Sequence, residues 1–399
     1  MAENRTPGRL GPGHDEPVSA FADALFAHLP RADQRRWAQI YLQGLLSTPG
    51  RKSIRRLAEA VSTSPTASQS LQQFINSSPW DWVPARRELT RLAEAHTTTR
   101  ALTVGTAVLP KRGEYTCGVH RRFVPALGRT ISCQAGLGIF LSTGDHDVPL
   151  EWRLLLPEPW HTDTERRERA RIPDSVGYRP VWAQTLELVD AATETLVSPA
   201  RLPVVADMSE HPDVGRLLSG LGRRGHDFVV AVPGGLQVLP GDPRLSAENR
   251  SASELRHNPL GALAFLLRRS TPNPQTKSPF VPEHRARRIG VRSGLVRLPG
   301  STRTLRLFTE GRPEGTRPAR VWITNMVGRH VEEVAALARL QSGAPLAVDS
   351  LERDYGLLDF EGRSFPGWHH HMTLVSAAYT YDRVVRPAEE SRGALLLSA

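Results

Sequence analysis

The sequence predicts an α/β protein in which a run of amphipathic helices precedes a mixed β-sheet flanked by helices. Apolar residues recur at helical spacing through residues 17–97. After about residue 100 they gather instead into short runs punctuated by Gly and Pro. From residue 178 onward, strand-like and helix-like segments alternate, the order that implies parallel pairing. With 399 residues, 39% of them hydrophobic, the chain can bury two or three packed units.

Residues 1–16, rich in Gly, Pro and charge, are expected to be disordered. The helical domain, 17–97, is read from FADALFAHL, RADQRRWAQIYLQGLLS, KSIRRLAEAVS, TASQSLQQFINSS and PARRELTRLAEAH, joined by short polar links. In 98–233, the first part of the core, ALTV (101–104), TCGVH (116–120) and QAGLGIFLST (134–143) read as β-like. YRPVWAQTLELVDAATETLV (178–197) reads as a helix, PVVAD (203–207) as a buried strand ending in an acid, and HDFVVAVP (226–233) as another strand. Residues 234–318, with many Pro, Gly and Arg, read as a loop- and β-rich insertion. The core resumes over 319–386 with VWITNM (321–326), HVEEVAALARL (330–340) and a closing helix, WHHHMTLVSAAYTYDRVV (368–385). A flexible tail is expected over 387–399.

The formal net charge of +10 favours polyanionic partners through counterion release. Lys52, Lys111 and Lys277 are the only lysines, so nearly all the positive charge is Arg. Guanidinium forks suit phosphate, although so general a bias equally reflects genome base composition. Cys117 and Cys133 are too few for a disulfide scaffold or a zinc site. No apolar run approaches membrane-spanning length and no leader is evident, so a cytoplasmic protein is expected, nucleoid-associated when bound to DNA.

Six stretches together resemble transposases of the insertion-sequence 701 group: SLQQFINSSPWDW (70–82), LPKRGEYTCGVHRRFVPALGRTISCQ (109–134), EWRLLLPEPW (151–160), VVAD (204–207), VWITNM (321–326) and FEGRSFPGWHHHMTL (360–374). The resemblance implies an RNase H-like core of the DDE class, in which two Asp and one Glu hold two magnesium ions. It places the first acid in an Asp-Asp-Thr-Gly step ahead of a Pro-Lys-x-Gly turn. Aligned on Pro110, Lys111 and Gly113, those aspartates fall on Gly105 and Thr106. The second acid corresponds to Asp207, which read on its own could equally be a cap. The third falls on Pro345, where the SGAP segment (342–345) is expected to break the local helix; Asp349, Glu352 and Asp354 follow as candidate replacements.

On this reading two of three carboxylates are absent and no cofactor is expected. The leading expectation is a catalytically inactive, transposase-like protein that binds double-stranded DNA, compatible with a homodimer and without a membrane partner. The phosphate contacts are expected from Arg35, Arg36, Arg51, Lys52, Arg55, Arg56, Arg86, Arg87, Arg285, Arg287 and Arg288. The rivals are an active metal-dependent endonuclease with a rebuilt site, and an interaction module or inert relic whose basic faces are only solvated. The run His369-His370-His371 is read as packing and hydrogen bonding rather than as metal ligands, because residues two apart do not share a helix face.

Overall fold

The computed structural model describes residues 15–198, 201–241, 259–268, 290–311 and 320–397. Five helices open the chain: α1 (Asp15–Phe26), α2 (Ala32–Ser47), α3 (Ile54–Val61), α4 (Ala67–Asn76) and α5 (Val83–His96). Strands β1 (Ala101–Pro110), β2 (His120–Val124), β3 (Arg129–Ser142) and β4 (Asp147–Leu154) follow, then α6 (Thr164–Ala170) and α7 (Val181–Thr195). Next come β5 (Val204–Asp207), α8 (Val214–Arg223), β6 (Phe228–Val232), β7 (Gln237–Pro240), β8 (Leu260–Gly261) and α9 (Ala262–Arg268). The chain then forms β9 (Gly290–Arg297), β10 (Leu305–Gly311), β11 (Val321–Thr324), α10 (Val331–Arg339), α11 (Gly343–Asp354), α12 (Phe365–Thr380) and α13 (Arg386–Leu397). The architecture is mixed α/β, consistent with an RNase H-like DDE fold.

Two compact units divide the chain. The first holds Met1–Thr99, Gly105–Pro199 and Gly343–Ala399, and the second Arg100–Val104 and Ala200–Ser342. In the first unit α12 is the central element. An all-round apolar helix belongs in an interior, and α12 is buried along nearly its whole length, in contact with α2, α4, α5 and β4. Ser364 caps it by accepting a hydrogen bond from Gly367 N at 3.2 Å, and Pro366 sits in the first turn, where its missing N–H costs nothing. The long strand β3 pairs antiparallel with β2 near its start, Arg121 opposite Ser132, and with β4 further on, Gly138 opposite Trp152.

In the second unit the opening residues of β1 pair parallel with β5, ending with Val104 opposite Ala206. β5 pairs parallel with β6 through the α8 crossover, as the strand–helix–strand order predicts. β11, β10 and β9 extend the sheet antiparallel beyond β6, and β7 and β8 follow at the β9 edge. Val205, Val229, Phe308 and Trp322 pack with Val334 and Ala338 of α10.

Three stretches differ from their sequence reading. Residues 116–119 form a turn rather than a strand: Gly118 takes φ +76°, and β2 begins at His120. Residues 387–397, expected as a flexible tail, are helical. They continue α12 through a π-helical segment, Tyr381–Val385, whose Val384 and Val385 are buried and whose Asp382 pairs with Arg386 one turn on. The described parts of 234–318 are more regular than expected, supplying β7 to β10 and α9.

Gly138 faces Trp152 so closely that a Cβ there would lie 2.7 Å from Trp152 Cζ3 and 3.0 Å from Phe140 Cε2. Both rings are fully buried and cannot retreat. Gly138→Ala is therefore expected to lower stability by about 1–3 kcal/mol, measured as a shift in urea midpoint at constant m-value.

Candidate active site

Asp207 stands at the carboxyl end of β5, in the second unit, and is partly exposed. Its Oδ1 accepts from Ser209 N at 3.0 Å and Ser209 Oγ at 2.6 Å, closing the turn that follows the strand. Its Oδ2 pairs with Arg320 Nη2 at 3.0 Å. Both carboxylate oxygens are thus engaged by protein donors, one of them a full positive charge. The adjacent helix α8 begins after Asp213, so Asp207 caps a turn rather than that helix.

Gly105 and Ala344 of the SGAP segment lie in the first unit and meet there. Gly105 is buried in β1, and a Cβ added to it would lie 3.0 Å from both Ala344 Cβ and Phe140 Cε2. Thr106, the next residue, points to the exposed side. The helix is interrupted at the SGAP segment, but a new helix begins within it. α10 passes through a 3-10 turn at Leu340–Ser342, and α11 starts afresh at Gly343 with Pro345 in its first turn. The first four N–H groups of a helix have no intrahelical partner, so proline is tolerated there. Gly343 is required for a different reason: the carboxylate of buried Asp147 lies where its Cβ would be, against the helix N-terminus that favours negative charge.

At the positions the resemblance assigns to catalytic acids, the donor set does not fit a pair of divalent ions. Position 105 offers no side-chain oxygen and is tightly approached by Ala344 and Phe140, Thr106 and Pro345 offer no carboxylate, and Asp207 already neutralises a guanidinium. Asp349 is exposed, and Asp354 is engaged by Ser350, Arg353 and Arg383. Burial and the nearby Asp349 raise the pKa of Glu352. Among the described residues, no three His, Cys, Asp or Glu side chains gather as a metal would require.

A model of the DDE superfamily endonuclease family matches residues 24–297. The chain belongs to that family. No curated protein matches it. Membership in the DDE superfamily endonucleases implies DNA as substrate or partner. The matched span includes Gly105, Thr106 and Asp207, while Pro345 lies beyond it.

In this DDE superfamily chain the expected phosphate contacts divide sharply. Arg86 and Lys52 are buried, which corrects their sequence reading. Arg86 reaches from α5 to Thr373 Oγ1 at 2.8 Å, to Trp152 O at 3.2 Å, to His369 O at 3.1 Å and to the carboxylate of Glu151. Lys52 gives its ammonium to Thr48 O, and burial lowers its pKa. Neither is available to a phosphate. Arg51 pairs with Glu361 at 2.9 Å and Arg55 with Glu59 at 2.7 Å. Arg35 donates to Leu29 O at 2.5 Å and Arg56 to Arg51 O and Pro49 O, both at 2.8 Å. Arg36 lies over the Trp37 ring, and Arg87 is exposed on α5. Arg285, Arg287 and Arg288 fall outside the described residues.

All three histidines of α12 are buried and hydrogen-bonded. His369 Nδ1 lies 3.3 Å from Arg86 Nη2 and so acts as acceptor, while its ring stacks on Trp82. His371 Nδ1 faces Tyr41 Oη at 3.1 Å and its Nε2 faces Gly356 O at 3.1 Å, which sets the tautomer with hydrogen on Nε2. His370 lies between two carbonyls, Ile75 O at 3.0 Å and Trp80 O at 2.9 Å, so a neutral ring donates to only one of them at a time. The packing and hydrogen bonding of the His run agree with its sequence reading, whereas the burial of Arg86 is what the sequence alone does not reveal; its place on the inner face of α5 is the only signal available.

Burial lowers the pKa of His370 to about 4 and of His371 to about 3. In the unfolded chain both titrate near 6.5. Between those values the unfolded state holds more protons, so stability is complete above about pH 6.5 and falls as pH drops through the window towards 4. Urea midpoints measured from pH 7.5 to 4.5 are expected to fall steadily, by up to about 1.4 kcal/mol per pH unit for each histidine. In His371→Gln the slope is expected to be shallower.

Proposed function

We propose that the chain is a transposase-derived DNA-binding protein of the insertion-sequence 701 group that no longer carries out strand transfer. The observation that carries the reading is the tight packing at Gly105, where a Cβ would lie 3.0 Å from both Ala344 Cβ and Phe140 Cε2, so that a carboxylate side chain enters only if its neighbours give way. Family membership supplies DNA as the partner class, and the net charge of +10 supplies the attraction. Without paired carboxylates, two cations would be poorly compensated, and losses at ligand positions exceed the 10–100-fold that second-shell losses typically cost. DNA is held through phosphate contacts, with Arg36, Arg56 and Arg87 the exposed members of the helical set that make no ion pair among the described residues. Asp207 serves here as a turn and ion-pair residue rather than as a metal ligand.

Purified full-length chain is expected to shift duplex DNA in gels at low salt, with affinity falling by about 0.9 log units per log unit of salt for each phosphate neutralised. A slope near zero, or no binding at low salt, sinks the DNA-binding reading. Supercoiled plasmid is expected to stay intact with magnesium or manganese. The paired restoration Gly105→Asp with Pro345→Glu is expected to leave it intact as well, because a side chain at position 105 must first push back Ala344 and the buried Phe140 ring. Nicking by the wild type that disappears in Asp207→Ala would establish the rival reading, a working rebuilt site.

A further inference from the structure

In the first unit, many arginines that look basic in the sequence are neutralised locally, as in the pairs Arg51–Glu361, Arg55–Glu59, Arg91–Glu88 and Arg179–Glu187. The β2–β3 hairpin is different. Arg121, Arg122 and Arg129, with Arg112 just before it, make no ion pair among the described residues, and Glu114 is the only acid between Lys111 and Cys133. Lys111, in the same stretch, is not part of this free charge: its ammonium donates to Phe360 O at 2.5 Å, and burial lowers its pKa to about 8.

Apolar side chains are exposed at the same place. Phe123 is 58% exposed and Leu127 51%, the latter on the turn Pro125–Leu127 that Gly128 closes at φ +61°. Strand alternation puts Arg121 and Phe123 on one face of β2, opposite Ser132 and Thr130, and Arg122 and Val124 on the other. β2 is the terminal strand of the sheet. An exposed Phe between unpaired arginines on a two-stranded ribbon is an unusual surface for a protein to leave in water.

We propose that this β2–β3 ribbon is a double-stranded DNA contact, with Arg121, Arg122 and Arg129 on phosphates and Phe123 and Leu127 against the groove. The inference rests on the DNA-binding reading above. A two-stranded β-ribbon fits the major groove of B-DNA, roughly 12 Å wide, and guanidinium forks match phosphate oxygens. A second copy of the chain is the poorer occupant. Symmetric pairing of two β2 edges would bring the same arginines of both copies side by side, where like charges repel.

The test measures fluorescence anisotropy of labelled mixed-sequence duplex DNA titrated with the full chain across a salt series. The triple variant R121A/R122A/R129A is expected to bind at least about tenfold more weakly near 0.1 M salt, with the salt slope reduced by about 2–3. R121K/R122K/R129K keeps most of the slope, and F123A weakens binding with the slope unchanged. R91A/R179A, which removes two already paired charges, leaves both quantities as in the wild type. If the triple alanine variant melts at a lower temperature, the lysine variant and F123A decide the outcome. Wild type that binds while the hairpin variants match it in affinity and slope overturns this proposal alone. A hairpin variant that changes oligomeric state on gel filtration without changing DNA affinity overturns it in favour of a second copy. Wild type that fails to bind at any salt overturns the DNA-binding reading itself.

Discussion

Much of the first unit is organised around one buried cation. The guanidinium of Arg86 joins α5 to β4 through Glu151 and Trp152 O, and to α12 through Thr373 and His369. A buried charge is costly unless it is paired and fully hydrogen-bonded. This one meets the condition only while α5, β4 and α12 keep their present spacing. The polar interior of α12 follows from the same constraint. A helix that must bury His369, His370 and His371 needs a partner for each ring, and α2, α4, the link between α4 and α5, and α5 bring Tyr41, Ile75 O, Trp80 O and Arg86 to them. Stacking of Trp80 on His370 and Trp82 on His369 then fills the space between the amino-terminal helices and α12.

Close packing also shaped the neighbourhood of the first acid position. At Gly105 a Cβ would press on Ala344 and Phe140, each 3.0 Å away. Gly343 is a glycine because the Asp147 carboxylate takes the place of its Cβ. A side chain at position 105 would have to push back a fully buried ring as well as Ala344.

The sequence announced its helices and central strands well, because their periodicity reports a single buried face. α2 to α5, α7, β5, β6 and β11 fall where the pattern puts them. It was least informative where the physical signal is not periodic. SGAP looks like a helix breaker until the chain is seen to restart a helix there, placing Pro345 where no N–H is needed. The final stretch reads as a tail, yet α13 continues a buried helix through a π segment. Basic clusters mislead for a related reason. A sequence shows charge but not its compensation, so Arg86 and Lys52, which are interior, resemble Arg36 and Arg87, which are exposed.

The survival of Asp207 is the remaining point, and it has a structural explanation independent of catalysis. One oxygen holds Ser209 N and Oγ, fixing the turn by which the chain leaves β5. The other pairs with Arg320, the residue just before β11, whose carbonyl in turn accepts from Thr309 Oγ1 at 2.8 Å in β10. Removing the carboxylate would free the turn and leave the guanidinium without its partner, whether or not a metal ever bound there. The Asp207 carboxylate therefore has a part in packing and charge balance whatever its part in chemistry, and both of its oxygens are committed to protein donors.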